Sequence, residues 1–195
     1  PIRQFADTRL NDEELESLKG RCIEHWRSVL PIAPIGGTNA AELVETARAL
    51  EPDQANLTAA IEWALDLRRI GEAMTIFGSP FGELLRLQGS THFSMVAKWI
   101  DTALRHQREI SPRVLARSLD FAGSVAAYSA QNEAWLAYAR QGIELAQTPA
   151  EQHFFGVPAA VATYRLGRSE EATAALDRII AETSDPAMEA SALLA

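Results

Sequence analysis

Four histidines, His25, His92, His106 and His153, and one cysteine, Cys22, are the side chains best suited to acid–base, metal or nucleophilic chemistry near neutral pH. Their spacing argues against all three. No histidine pairs with another histidine at the short intervals of a metal site. His92 opens an expected helix and His106 lies near its end, too far apart to share a site. Cys22 sits on an apolar helical stripe, where a thiol serves as a small core hydrophobe; as a nucleophile it would need a neighbouring base that the sequence does not name. The carboxylates gather as Asp12-Glu13-Glu14 and Glu170-Glu171, at expected helix starts, where the helix dipole favours negative charge. Pro34-Ile35-Gly36-Gly37-Thr38 echoes a phosphate loop but lacks the lysine and the preceding strand, and no GxxxxGKS or GxxxxGKT occurs. The expectation is a non-enzymatic segment with no catalytic residue, no metal ligand and no cofactor of its own.

Binding chemistry has a better candidate. Met74, Phe77, Phe81, Phe93 and Met95 recur at helical spacing, as a core stripe does. Gly78-Ser79-Pro80 interrupts that stripe. Proline inside a helix removes a ladder bond and costs about 3 kcal/mol, so a kink or break is expected there. A broken helix leaves backbone groups in need of partners, and an apolar groove is one place to find them. The candidate groove residues are Phe77, Phe81, Arg86, Gln88, His92, Tyr128 and Arg165, the polar ones chosen because they adjoin apolar stripes at helix ends.

The elements that would position these residues are all helical. Asn11 with Asp12, Glu13 and Glu14 starts a helix whose stripe is Leu15, Leu18, Cys22, Trp26 and Val29. Pro31, Pro34 and Gly36-Gly37 end it. Thr38 or Asn39 caps the next helix, with Glu42 completing a capping box from Asn39. Pro52 restarts the chain into a stripe of Leu57, Ala60, Ile61, Ala64 and Leu65, and Gly71 marks the following turn. Beyond the interrupted helix come Phe93, Val96, Trp99, Ile100, Ala103 and Leu104. Ser111-Pro112 begins a helix apolar on two faces, with Val114, Leu115, Leu119, Ala122 and Ala126 on one and Phe121, Val125 and Tyr128 on the other. Gln131-Asn132 turns into Trp135, Ala139, Gly142 and Ile143. Thr148-Pro149 starts a helix with Pro158 near its first turns, and Gly167-Arg168-Ser169 turns into Ala172, Leu176, Ile179 and Ile180. Asp185-Pro186 reads as the start of a last helix, which suggests a segment cut from a longer protein.

Nothing alternates with the period of a strand. Helix starts near Glu72, Pro112 and Glu151 recur about every forty residues, close to the period of helical-hairpin arrays. The partner helices repeat Val96/Ile100/Ala103, Trp135/Ala139/Gly142 and Ala172/Leu176/Ile179 at equivalent spacings. The expected fold is all-α: a superhelical stack of antiparallel, tetratricopeptide-like hairpins with about ten or eleven helices. Residues 1–37 are expected as a helical lead-in and residues 38–195 as the repeat domain.

The net charge of −8 provides no lysine and arginine surplus to neutralise phosphates, so neither a nucleic-acid nor an anionic-membrane contact is expected. No apolar run approaches the roughly 18 residues of a membrane span. A single cysteine forbids an internal disulfide and suits a reducing, cytoplasmic setting.

Asn56-Leu57, then Ala59-Ala60-Ile61-Glu62-Trp63-Ala64-Leu65, a glycine turn, an apolar helix, Gly89 and Trp99-Ile100-Asp101-Thr102-Ala103-Leu104 resemble the segment behind the nucleotide-binding module of large bacterial signalling ATPases. These are regulators of the STAND class, with an NB-ARC-like ATPase, a winged-helix linker and a tetratricopeptide-like sensor, joined to LuxR-type or SARP-type DNA-binding domains or to a class III adenylate cyclase domain. Ile2 to Leu10, followed by Arg21-Cys22-Ile23-Glu24-His25-Trp26, is similar to the helix pair that ends the winged-helix linker. The resemblance spans residues 1–107. Gly78-Ser79-Pro80 departs from it, since that helix is usually uninterrupted in such proteins. It implies a sensor segment that takes a protein or small effector on its repeat surface and signals to an ATPase module in the same chain. The alternatives are a helical regulatory domain of a nucleotide cyclase and a stand-alone tetratricopeptide adaptor.

Overall fold

A computed structural model describes residues 11–36, 40–183, 190, 192 and 193. The expected helix end in residues 1–10, the caps at Thr38 or Asn39 and the start at Asp185-Pro186 lie outside them. Among the described residues the fold is all-α, without strands. The helices are α1 (Asp12–Val29), α2 (Ala40–Ala49), α3 (Gln54–Asp66), α4 (Ile70–Phe77), α5 (Pro80–Leu87), α6 (Phe93–Arg105), α7 (Pro112–Tyr128), α8 (Asn132–Leu145), α9 (Pro149–Arg165) and α10 (Ser169–Glu182). Short 3₁₀ turns at Glu51–Asp53, Gly89–His92 and Gln107–Glu109 join some of them.

The starts follow local chemistry. The Asn11 side chain accepts from the Glu14 amide at 2.9 Å while Glu14 accepts from the Asn11 amide at 3.0 Å, a reciprocal capping box. At α9, Thr148 Oγ1 accepts from the Glu151 amide at 3.2 Å, Glu151 reaches back to the Gln147 amide at 2.7 Å, and Pro149 fills the first position, where its missing N–H costs nothing.

The chain divides into two compact units. The described residues of Pro1–Ala33 and Ala40–Val114 form the first, those of Pro34–Asn39 and Leu115–Ala195 the second. In the first, α1 packs on α3 and α4, α3 packs on α4, α4 on α6, and α2 docks on α5 rather than on its immediate neighbours alone. Its core is Ile23, Leu57, Ile61, Met74, Ile76, Phe77, Phe81, Leu85 and Val96, each contributing about 1.5–3 kcal/mol by leaving water. Trp99 meets Phe77 edge-on, ring centroids 6.0 Å apart.

Two expectations are corrected here. The α1 stripe Leu15, Leu18, Cys22, Trp26 is only half-buried and Val29 is 52% exposed, whereas Ile23, off that stripe, is fully buried. Gly71 does not make a turn. It lies inside α4, where a Cβ would stand 2.6 Å from the Glu109 carbonyl oxygen, so glycine is needed for close approach. The turn before α4 is made by Arg68 in the left-handed region (φ 56°).

In the second unit α8 packs on α9 and α9 on α10. Gly142 of α8 admits the Phe155 ring, which sits 2.6 Å from its notional Cβ at Cγ. Ile35, Ala116 and Phe155 are buried together, with Ile143, Leu145 and Phe154 against them. Gly36, at φ 66°, lies over the first turns of α9, its notional Cβ 3.0 Å from the Ala150 carbonyl oxygen. Both faces of α7 are apolar as expected through Phe121, which is buried, but Tyr128 at its end is 79% exposed. Pro158 is mid-helix in α9, not in its first turns, and the helix continues through it.

Candidate functional site

The break at Gly78-Ser79-Pro80 is present and complete. α4 ends at Phe77, α5 begins at Pro80, and Ser79 between them is extended (φ −77°, ψ −179°). Residues before proline avoid the helical region, and serine is a strong N-cap. The fully buried Ser79 hydroxyl donates to the Ile76 carbonyl at 2.7 Å and accepts from the Phe81 amide at 3.2 Å. The Gly78 amide donates to Met74 O at 2.8 Å, and the Gly78 carbonyl accepts from the Ala33 amide at 2.9 Å. The groups released by the break are thus bonded within the protein.

The predicted groove residues separate accordingly. Phe77 is 2% exposed and Phe81 0%, so both are core side chains. Arg86 is half-buried, its Nε 3.4 Å from Glu83 Oε2 one turn away. Gln88 and His92 are brought together by a residue the sequence did not single out, Gln54 at the start of α3. The Gln54 and Gln88 amides bond reciprocally at 2.9 and 2.8 Å, and Gln54 Nε2 lies 3.3 Å from His92 Nε2. This half-buried cluster ties the ends of three helices. Tyr128 and Arg165 belong to the second unit. Arg165 is exposed and stacks over Trp135, its guanidinium carbon 5.1 Å from the ring centroid.

The other reactive types are held in pairs. His25 meets Trp26 edge-on at 5.1 Å. His106 Nδ1 lies 2.9 Å from Glu109 Oε1. His153, buried on α9, has Nε2 3.5 Å from Glu182 Oε2 at the end of α10. Burial pushes the Cys22 thiol above its ordinary pKa, a hydrogen bond with Trp26 opposing this in part, which disfavours the nucleophilic thiolate. Among the described residues no group of three or more His, Cys, Asp or Glu is placed to hold a metal ion, and no helix is long and apolar enough to cross a membrane.

The described surface does carry an open cleft. It lies in the second unit between α8 and the α9–α10 turn, has a volume of about 340 Å³, and is lined by Glu133, Leu136, Ala137, Arg140, Leu166 and Arg168. That is at the lower end of the roughly 300–1,000 Å³ of small-molecule sites. Beside it, Glu171 of α10 places one carboxylate oxygen 3.5 Å from Arg140 Nη2 and the other 3.3 Å from Arg168 Nη1. None of these residues was a binding candidate in the sequence: Glu171 stood there only as a first-turn charge and Arg168 only as part of a turn. They come from two helices and a turn, and the only signal was a surface glutamate two helical turns before an arginine.

No protein-family model, no curated protein and no solved structure matches the chain.

Proposed function

We propose that this chain is a non-enzymatic, protein- or effector-binding helical-repeat segment of a multidomain bacterial transcriptional regulator. In that role it works in the cytoplasm and passes a signal to an ATPase module in the same protein. The observation that carries the reading is the contrast between the histidines and the cysteine, each engaged with a neighbouring side chain, and the cleft on α8, which is open. A segment of this kind acts by binding its effector more tightly in one arrangement of the regulator than in another. The sequence words of residues 1–107 support the same placement, behind a nucleotide-binding module.

Thermal melting of the chain against a panel of small metabolites and short peptides tests this. A true effector raises the melting temperature with concentration, by mass action. A phosphate-release assay with ATP and magnesium on the same preparation is expected to show no turnover. ATP hydrolysis that survives stringent purification, or a panel of which no member shifts the melt, would overturn the reading.

A further inference from the structure

The α8 cleft is ordered by charge. Glu133, Leu136, Ala137 and Arg140 share one face of α8, being three, four and seven residues on from Glu133. Along the axis this face runs acidic, apolar, basic over about 10.5 Å, at about 1.5 Å per residue. Leu166 widens the apolar middle, and Arg168 joins Arg140 at the basic end, where both reach Glu171. Those two contacts, at 3.5 and 3.3 Å, are longer than the roughly 2.7–2.9 Å of good charge-assisted bonds. Glu171 is half exposed, so it holds the space between the arginines loosely. The positive N-terminus of α10 begins next to Arg168, at Ser169; Glu170 and Glu171 in its first turn oppose that potential.

We propose that the cleft binds a short aliphatic zwitterion, with a carboxylate at one end of an alkyl chain and an ammonium at the other. The ligand carboxylate displaces Glu171 from between Arg140 and Arg168. The chain lies on Leu136, Ala137 and Leu166, and the ammonium meets Glu133. A dicarboxylate is disfavoured by Glu133, and an alkylamine forfeits both arginines. The volume of about 340 Å³ suits one small molecule. This deepens the effector-binding reading, on which its biological meaning rests.

The test is amide and methyl NMR on the whole chain, titrated with ω-aminooctanoate and, separately, with octanoate and octylamine. Saturable shifts are expected at Leu136, Ala137 and Leu166 with ω-aminooctanoate, and severalfold weaker binding of either half-ligand. Glu133→Gln should reduce ω-aminooctanoate to the level of octanoate. Arg140→Gln with Arg168→Gln should abolish binding, and Glu171→Gln should tighten it severalfold by removing the competing carboxylate. All four side chains are exposed, so the variants keep the fold. No saturable shift in the cleft, or octanoate binding as tightly as ω-aminooctanoate with Glu133→Gln without effect, overturns the proposal. If other panel members still raise the melting temperature, the zwitterion site falls and the effector reading stands; if none does, both fall.

Discussion

Two prolines interrupt apolar helical patterns in this chain, and the chain treats them oppositely. At Pro80 the helix ends and restarts; at Pro158 it runs on. The difference lies in what precedes each ring. A glycine stands two residues before each proline, so the residue between decides: before Pro80 it is Ser79, which supplies the hydroxyl that caps α5 and bonds back to α4. Before Pro158 stand Gly156 and Val157. Valine has no capping group, and α9 is held between α8 and α10, so the packed helix keeps its course and forgoes one ladder bond. The lesson bears on function. The conspicuous break is closed by its own bonds and core aromatics, while the open cleft lies among unbroken helices.

The largest expected effect tests whether the break is core. Phe81→Ala should cost about 3–5 kcal/mol in chemical denaturation, as a fully buried aromatic does; a cost near zero would return Phe81 to a groove. The two prolines come next. Pro158→Ala should raise stability, by up to about 3 kcal/mol, because alanine restores the missing donor. Pro80→Ala should change it far less, since the first helical position needs no N–H. The reverse ranking would break the comparison. Ser79→Ala should cost about 0.5–2 kcal/mol, the ordinary value of an N-cap, read from the same denaturation curves. Smallest is Glu171→Gln, whose half-exposed pairs make a change below about 1 kcal/mol the expectation.

What the sequence made legible was local. Asn11 with Glu14, Thr148 before Pro149, and Gly78-Ser79-Pro80 each carry their structural consequence within a few residues, and each is found as read. Non-glycine turns were not legible: Arg68 and Ala130 adopt φ of 56° and 55° with no residue preference to announce it. Gly71 misled because glycine serves close approach as well as turns, and only the fold shows which. Ile23 rather than the α1 stripe is buried because α1 lies against both α3 and α4, a packing no single-helix periodicity encodes. The predicted groove mixed core residues with surface ones for the same reason, and the cleft residues meet only through tertiary packing of α8 with the turn after α9.

The most direct measurement is the melting of wild-type chain and of the variant carrying Arg140→Gln with Arg168→Gln across one effector panel. The account predicts that at least one small ligand raises the wild-type melting temperature with dose and leaves the variant unmoved, both proteins starting from nearly the same value. A panel that moves neither protein, or moves both equally, would contradict it.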